Sequence, residues 1–219
     1  MKILLVNTYY YPEIYGGAEY SVKKLAEELK RQGNIVKVLC TGSEEKRETI
    51  DGIEVIRIVS KNLCRGCESS KYPMYKRVLR RTLDIWNPFN KAKIEEVLEE
   101  YKPDVVHTNG LYDLSTIVWE TAHKKNIKVV HTLRDYHLLC PFTSLHCSKV
   151  KNECSNVPPK VFCRIHRTIN RRKSGYVDVV TAPSSVTLNL LVIINFLAQV
   201  RKGLFQMLQN IIFRKFMNY

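Results

Sequence analysis

No apolar run in this sequence is long enough to cross a lipid bilayer, which takes about 20 residues. The nearly apolar segment 190–196 is far shorter. At the start of the chain, Met1 and Lys2 lead directly into an apolar strand pattern of about five residues, which is too short for a secretory signal peptide. We therefore expect a cytoplasmic protein, either free or at the inner face of the membrane.

The dinucleotide-binding fingerprint G-x-G-x-x-G is also missing, so the sequence does not indicate a nicotinamide cofactor. Cysteine is present but odd in number, at seven residues, which argues against the fully paired disulfides of a secreted protein. Four cysteines lie in one irregular segment, and a group of four thiolates can bind a tetrahedral zinc ion. They are Cys140, Cys147, Cys154 and Cys163. Because their spacing contains no C-x-x-C pair, we expect no bound metal and no other cofactor.

Acidic residues are scarce in the last third of the chain. Residues 141–219 contain 12 basic and 2 acidic side chains, which leaves 23 of the 35 basic and 19 of the 21 acidic ones in residues 1–140. The positive charge therefore belongs to the C-terminal third and indicates an anionic partner, either a membrane surface or a phosphorylated substrate. No nucleic-acid-binding motif accompanies the charge, so we expect no nucleic acid partner.

Apolar runs typical of buried parallel strands alternate with amphipathic helical patterns through the first 130 residues. The predicted strands are 3–6, 35–40, 53–58, 105–107 and 127–130, with a further one at 177–181. The predicted helices are one that follows Gly17 and stops at Gly33, and then 75–86, 90–101 and 114–123. Strands separated by helices imply parallel crossovers, so we predict an α/β fold with a doubly wound, mostly parallel, Rossmann-like sheet.

We expect a single domain over residues 1–190. Regular periodicity is lost in 134–175, where cysteine, proline and basic residues predominate, so this segment is predicted to be a Cys-rich insertion. Serine is a favoured N-cap residue, so Ser184 is predicted to cap a helix that follows it. Residues 191–219 form a basic, apolar tail with three open interpretations: a helix lying in a membrane interface, a segment that packs on a partner domain, or a truncated or aberrant end.

The loop between the first strand and the first helix contains Gly16-Gly17-Ala18-Glu19. Main-chain N–H groups at the N-terminus of a helix attract anions, and paired glycines let a ligand approach the backbone closely. The same glycines would also suit a simple tight turn. In a doubly wound sheet, ligands bind at the carboxyl ends of the strands, where this loop, Asn109-Gly110 and His131 are all predicted to lie.

Four segments, in this order and at these spacings, are typical of one known family: Tyr11-Pro12 with residues 16–19, then 102–109, 129–141 and 179–184. Through them the chain resembles the N-terminal half of family 4 glycosyltransferases. These are retaining nucleotide-sugar enzymes built from two facing Rossmann-like domains, the GT-B architecture. The resemblance covers residues 1–190.

The resemblance implies a division of labour between two domains. In this family the N-terminal domain holds the acceptor and presents the glycine-paired loop to the phosphates of the donor, while the C-terminal domain carries the nucleotide site with a pair of glutamates. After Glu120 this sequence has a single glutamate, Glu153, so that pair is not present. We therefore expect an acceptor-side half that lacks the C-terminal donor domain and is inactive or weakly active alone.

The candidate site residues fall into three groups by the role that the resemblance implies. They are the catalytic residues His131 and Asp135; the donor-phosphate or acceptor loop Gly16, Gly17 and Glu19; and the acceptor or phosphate contacts Asn109 and Arg134. Many relatives have a histidine where Arg134 stands. Because a guanidinium is a poor general base, Arg134 receives no acid–base role. For Glu19, a favourable interaction with the helix dipole is the alternative.

The expected function of the full-length enzyme is to transfer a sugar, with retention, from a nucleotide-sugar donor to a surface-glycan or lipid-linked acceptor. The alternative is a non-catalytic subunit that binds the acceptor or the membrane and works with a separate donor domain. A basic helical face is consistent with docking on an anionic membrane leaflet or with a simple solvated surface. Its residues are Tyr75, Lys76, Arg77, Arg80 and Arg81.

Overall fold

The computed structural model describes residues 1–141, 143, 145–147, 152–153 and 161–184. Two compact units make up the chain, Met1–Val129 and Val130–Tyr219. The predicted tail 191–219 and the helix predicted after Ser184 lie outside the described residues.

The first unit consists of strands alternating with helices. Its elements are β1 (Lys2–Val6), α1 (Gly17–Arg31), β2 (Ile35–Thr41), β3 (Lys46–Ile50), β4 (Ile53–Ile58), α2 (Met74–Ile85), α3 (Lys91–Tyr101), β5 (Val105–Thr108) and α4 (Ile117–Lys124). Short 3-10 helices lie at Gly66–Lys71 and Pro88–Asn90. The strand order is β3-β4-β2-β1-β5, and all neighbours are parallel except β3 and β4. This confirms the predicted mostly parallel α/β sheet.

Helices cover both faces of this sheet, as a doubly wound fold requires. On one face α1 packs onto alternate residues of three strands. That cluster consists of Ile3, Leu5, Tyr10, Val22, Ala26, Val36, Val38, Cys40, Ile53 and Val55. Thr108 pairs in register with Val6, which lies on the opposite face from Leu5. The Oγ1 of Thr108 accepts a hydrogen bond of 2.8 Å from Nε1 of buried Trp119, so α4 covers that second face.

Two features of the first unit differ from the sequence prediction. Strand β3 was not predicted, because its residues are mostly polar and do not alternate with apolar ones. The sequence signal for this strand was the pair Asp51-Gly52, which is typical of a hairpin turn. These two residues have positive φ angles of 51° and 71° and form the turn between β3 and β4. Helix α4 begins at Ile117 and not at residue 114. Asp113 and Ser115 have φ angles of 63° and 67°, and this left-handed backbone cannot belong to a right-handed helix.

The second unit contains the end of β6 (Lys128–Thr132), whose last three residues pair in parallel with β9 (Val179–Thr181). Between them lie the short antiparallel pair β7 (His146–Cys147) and β8 (Asn152–Glu153), and helix α5 (Val161–Lys173). The sequence predicted no regular element in 134–175, so α5 is a correction. The buried residues of α5 include His166 and Asn170. Because these buried side chains are polar, the sequence lacks the apolar periodicity from which a helix is predicted.

Candidate functional site

The glycine pair lies at the N-terminus of α1, and both glycines are exposed to solvent. A Cβ added to Gly17 would have no heavy atom within 4 Å, so a ligand can come close to the main chain there. The N–H of Gly16 already donates to Oε2 of Glu19, at 2.9 Å. Glu19 therefore caps α1, and it brings a carboxylate to the end of the helix that attracts anions.

A buried arginine fixes the loop that precedes the glycines. The Nη2 of Arg57 donates to the carbonyl of Tyr11 at 2.6 Å, and its Nε donates to Oε1 of Glu48, also at 2.6 Å. A second ion pair joins Glu13 of the loop to Arg65, at 2.5 Å. The loop between β1 and α1 is thus bound to β3, β4 and the segment after β4 before any ligand arrives.

The carboxyl ends of β1 and β5 are joined through Asn7. Its Oδ1 accepts from the N–H of Gly110 at 2.7 Å, and its Nδ2 donates to the carbonyl of Tyr9 at 2.8 Å. A Cβ on Gly110 would lie 2.8 Å from that Oδ1, so a larger residue there would displace the Asn7 side chain and disturb this bond. The neighbouring Asn109 is buried, and its N–H donates to Val6 at 2.8 Å. Sequence reasoning selected Asn109 but missed Asn7.

A buried polar network lies in the first unit, centred on the Asp113 carboxylate. Asp113 accepts from Nη2 of Arg80 at 2.9 Å, from the N–H of Gly66 at 2.8 Å and from the hydroxyl of Tyr9 at 3.3 Å. Nη1 of Arg80 lies 2.9 Å from the carboxylate of Asp84. Burial raises the pKa of Asp84 to about 6, and burial beside Asp113 also raises the pKa of Tyr9. Arg80, which the sequence suggested as part of an exposed basic face, is therefore a buried structural residue.

The second unit holds the remaining candidates. His131 is buried in β6, opposite Val180 of β9. Arg134 and Asp135 follow the strand and are half-buried. Burial lowers the pKa of Arg134, because a guanidinium loses part of its hydration there. Oδ1 of Asp135 accepts from the N–H of His137 at 2.7 Å, which turns the chain directly after Arg134.

Helix α5 holds the segment that follows Asp135. Nε of Arg167 donates to the carbonyl of Leu139 at 2.8 Å, and Nδ2 of Asn170 donates to that of Leu138 at 3.2 Å. The rings of His137 and His166 meet edge to face, with centroids 5.8 Å apart. Part of the predicted insertion therefore supports the stretch that carries Arg134 and Asp135, a role that the sequence did not reveal.

Each unit carries some of the predicted site residues. In the first unit, the loop of Gly16 and Gly17 leaves the end of β1, and Asn7 links that strand end to the residues around Asn109. In the second, His131, Arg134 and Asp135 lie within one short stretch at the end of β6. Whether these residues act in catalysis or binding stays a prediction.

Among the described residues, no group of three or more histidine, cysteine or acidic side chains has a metal-binding arrangement. Of the four cysteines considered for zinc, Cys140 is buried and Cys163 half-buried, the side chain of Cys147 is not described, and Cys154 lies outside the described residues. The described helices also include none with the length and apolar character that crossing a bilayer requires.

The doubly wound parallel sheet, with an exposed glycine pair where its first strand leads into a helix, defines the class as a Rossmann-like α/β domain. The sequence of residues 15–196 matches the model of Glycosyltransferase Family 4, and the chain belongs to this family. The resemblance inferred from the four sequence segments is thereby confirmed.

Two relatives are similar to this chain over part of their own length. An uncharacterized 42.6 kDa protein in the cps region of Klebsiella pneumoniae is 31% identical over 181 residues, which cover 82% of this chain and 48% of that protein. The alpha-monoglucosyldiacylglycerol synthase of Streptococcus pneumoniae (strain ATCC BAA-255 / R6) is 28% identical over 137 residues, covering 63% of this chain and 26% of that enzyme. The chain thus spans about half, or less, of the length of these relatives.

Two solved structures are similar in fold. Sucrose-phosphate synthase from Thermosynechococcus elongatus gives a TM-score of 0.54 at 14% identity, over 87% of this chain and 44% of that one. UDP-N-acetylglucosamine 2-epimerase from Rickettsia bellii gives 0.50 at 13% identity, over 100% of this chain and 49% of that one. At such low identity these likenesses concern the fold alone.

Proposed function

We propose that this chain is the acceptor-side half of a retaining glycosyltransferase, which transfers a sugar from a nucleotide-sugar donor to a surface-glycan or lipid-linked acceptor. The observation that carries the proposal is the exposed Gly16-Gly17 junction in a chain of Glycosyltransferase Family 4. The proposed partner is a donor domain that supplies the nucleotide site. We propose neither a metal nor a further cofactor.

The chemistry of sugar transfer gives the glycine junction a role. As the bond to the leaving group breaks, negative charge accumulates on the diphosphate, and fixed N–H donors that face this charge stabilise the transition state. We propose that the N-terminus of α1 supplies such donors, and the open space beside Gly17 supports this because a phosphate could approach the main chain there. Because Gly16 already donates to Glu19, we propose that the phosphate is bound chiefly by the amides that follow Gly16.

In the second unit, Arg134 and Asp135 suit two different contacts. A guanidinium that has lost hydration gains more from an anion than an exposed one does, so Arg134 is proposed to contact a phosphate or an acidic group of the acceptor. Asp135 is proposed to orient a sugar hydroxyl, and His131 to support the reacting centre from within β6. Among the relatives, one belongs by name to a cps region and another is named as a synthase of a glucosyl lipid, which supports a surface-glycan or lipid-linked acceptor.

The test is a transfer assay in which the donor half is supplied separately. The chain is mixed with the part of the Klebsiella pneumoniae relative that lies outside the match, labelled nucleotide sugars, and acceptors extracted from the cells that make the protein. We expect transfer with Gly17→Ala to remain within a few-fold of wild type. Gly17→Leu should lose on the order of 100-fold, because its side chain fills the phosphate position.

Lys24→Leu, which adds a similar side chain further along the exposed side of α1, is the matched control and should behave as wild type. Equal activity of Gly17→Leu and the control would contradict a phosphate at this junction. Acceptor binding without transfer under all these conditions would favour the alternative, a non-catalytic subunit of a split glycosyltransferase.

A further inference from the structure

The segment Cys64-Arg65-Gly66-Cys67, between β4 and α2, contains two thiols that the proposed activity does not use. Both cysteines are free and half-buried, so a small molecule can reach them from solvent. Two cysteines separated by two residues have the spacing found in reversible thiol–disulfide exchange. They differ from Cys40, which is fully buried and whose pKa is raised by burial to about 12. Cys40 is therefore an inert thiol, whereas the pair can react.

The main chain of this segment is bound to the buried network around Asp113. The carbonyl of Cys64 accepts from Nε of Arg80 at 3.2 Å, and the N–H of Gly66 donates to Oδ2 of Asp113 at 2.8 Å. A Cβ added to Gly66 would lie only 2.6 Å from Nη2 of Arg80. Because Gly66 is so tightly packed, a change in the shape of the segment falls mainly on Arg65.

The side chains of the same segment hold the loop between β1 and α1. Arg65 pairs with Glu13 of that loop at 2.5 Å. A hydrogen bond with the Cys67 thiol raises the pKa of Tyr15, the residue that directly precedes the glycine pair. The N–H of Cys67 also donates to the hydroxyl of Tyr9 at 2.9 Å. The position of the thiol and of the guanidinium therefore bears on the geometry of the glycine junction.

The backbone of Arg65 opposes close approach of the two thiols. It is extended, with φ −64° and ψ 146°, and the 3-10 helix Gly66–Lys71 follows it. A disulfide requires Cα atoms about 4.4–6.8 Å apart. Across two intervening residues this distance takes a tight turn, which brings the first and fourth Cα atoms within about 7 Å. The segment thus has one arrangement for free thiols, with Arg65 extended, and another for a disulfide, with Arg65 turned.

From these contacts we propose that Cys64 and Cys67 form a reversible disulfide that controls the glycine junction of α1. The thiolate of Cys67 attacks one sulfur of a small soluble disulfide, such as glutathione disulfide, and releases one thiol. Cys64, whose pKa is raised by burial, then attacks the mixed disulfide and releases the second thiol. Two protein thiols are oxidised, the external disulfide is reduced, and its two thiol products take up the two protons. Transient disulfides of this kind occur in reducing compartments.

Closing the disulfide removes two contacts from the loop between β1 and α1. When Arg65 turns, its guanidinium leaves Glu13, and when Sγ of Cys67 bonds to Cys64 it leaves the hydroxyl of Tyr15. Oxidation therefore loosens the glycine junction, and reduction restores it. A resulting loss of sugar transfer rests on the proposed function, whereas the disulfide and the loosened loop do not.

Peptide mapping tests the disulfide directly. The full chain is equilibrated at pH 7 with reduced glutathione or with glutathione disulfide, its remaining thiols are blocked, and it is digested with trypsin. Because trypsin cleaves after Arg65, a disulfide joins peptide 62–65 to peptide 66–71. We expect this cross-linked mass in the oxidised sample and its loss after reduction. Cys64 and Cys67 found only as blocked thiols, or carrying only glutathione, would overturn the proposal.

Hydrogen–deuterium exchange of the same samples measures the loop. The N–H of Glu13 donates to the carbonyl of Tyr10 at 3.1 Å, and that of Gly16 donates to Glu19, so both amides are protected. On oxidation, exchange in the peptide that covers residues 11–19 should rise by roughly tenfold, the size expected when a local opening loses about one hydrogen bond of stabilisation. A disulfide that forms without any change in this exchange would contradict control of the glycine junction.

Serine variants provide the matched controls. Cys64→Ser and Cys67→Ser each keep a polar side chain but cannot close the disulfide, so in oxidant both should exchange as reduced wild type does. Cys163→Ser removes a half-buried thiol of the second unit and should still show the cross-link and the faster exchange. Arg65→Gln breaks the ion pair with Glu13 without oxidation and should speed exchange in both buffers. An oxidant effect that persists in Cys64→Ser would refute the pair as its cause.

Discussion

Individual buried aspartates in this protein connect several segments of the chain, a role that the sequence alone does not predict. Asp113 has a left-handed backbone and accepts from Arg80, Tyr9 and the main chain at Gly66. It thereby joins α2, the start of the loop between β1 and α1, and the segment after β4. Breaking such a buried pair by removal of one partner typically costs about 3–5 kcal/mol, because a charge remains without its counterion.

Asp84 gives the network a pH dependence. Burial raises its pKa in the folded protein to about 6, from an ordinary value of 3.8. Since the folded state holds this proton more tightly than the unfolded state, the stabilisation is fully present below pH 3.8 and is lost as the pH rises through about 6. In urea unfolding, the free energy of unfolding of wild type relative to Asp84→Asn should therefore fall by roughly 3 kcal/mol at most between about pH 4 and pH 7.

The opposite trend would contradict burial as the cause. Asp84 also accepts from Arg80, from Asn62 at 3.0 Å and from the N–H of Asp113 at 2.9 Å, and all three bonds favour the ionised carboxylate. A relative stability that rises with pH would mean that these bonds outweigh the loss of hydration.

At the scale of elements, the first turn of α1 combines a cap with a proposed anion site. Glu19 satisfies the N–H of Gly16, and Arg57 together with Arg65 holds the loop in front. A helix end that is stabilised from both sides offers its remaining amides in a fixed geometry, which lowers the cost of ordering them around a ligand.

Substitutions at Glu19 can separate its two suggested roles. Glu19→Ala removes the cap and should lower the free energy of unfolding by about 1 kcal/mol in a denaturant titration. Glu19→Gln keeps an acceptor for the N–H of Gly16, so most of that stability should remain. If the residue acts as a cap alone, Glu19→Gln should transfer sugar as wild type does; a large loss of transfer with stability intact would assign Glu19 to the acceptor.

At the scale of the whole molecule, the main observation is that the chain matches only part of the length of its relatives. The chain spans about half of the Klebsiella pneumoniae relative and less of the streptococcal enzyme. The proposed function places sugar transfer between an acceptor-side domain and a donor domain, so it needs groups from both.

The chain assayed alone with mixed nucleotide sugars should therefore show little or no transfer above a blank without protein. Its folding should be verified by circular dichroism in the same preparation, so that low turnover is not mistaken for misfolding. Robust transfer by the chain alone would contradict the proposal that the donor half is required.

The sequence was sufficient for the parallel strands and most of the helices of the first unit, because apolar runs and amphipathic periods reflect burial directly. It failed where polar residues form the element. Strand β3 is a polar edge strand, and α5 buries His166 and Asn170, so neither shows the apolar pattern on which prediction rests. For the candidate site, the glycine pair and Asn109 were selected, but Asn7 was not, because its role depends on a bond to Gly110, which is remote in sequence.

By itself, the sequence determined the family, the order of the apolar strands and the helices in the first unit, and the unequal distribution of charge. Tertiary structure alone decided which charges are buried. Arg80 looks like its neighbours Arg77 and Arg81 in the sequence, yet it lies inside the unit, because its direction on α2 places it between Asp84 and Asp113. The physical reason is that burial and pairing of a charge depend on contacts between residues far apart in the chain, whereas strand and helix patterns depend on neighbours.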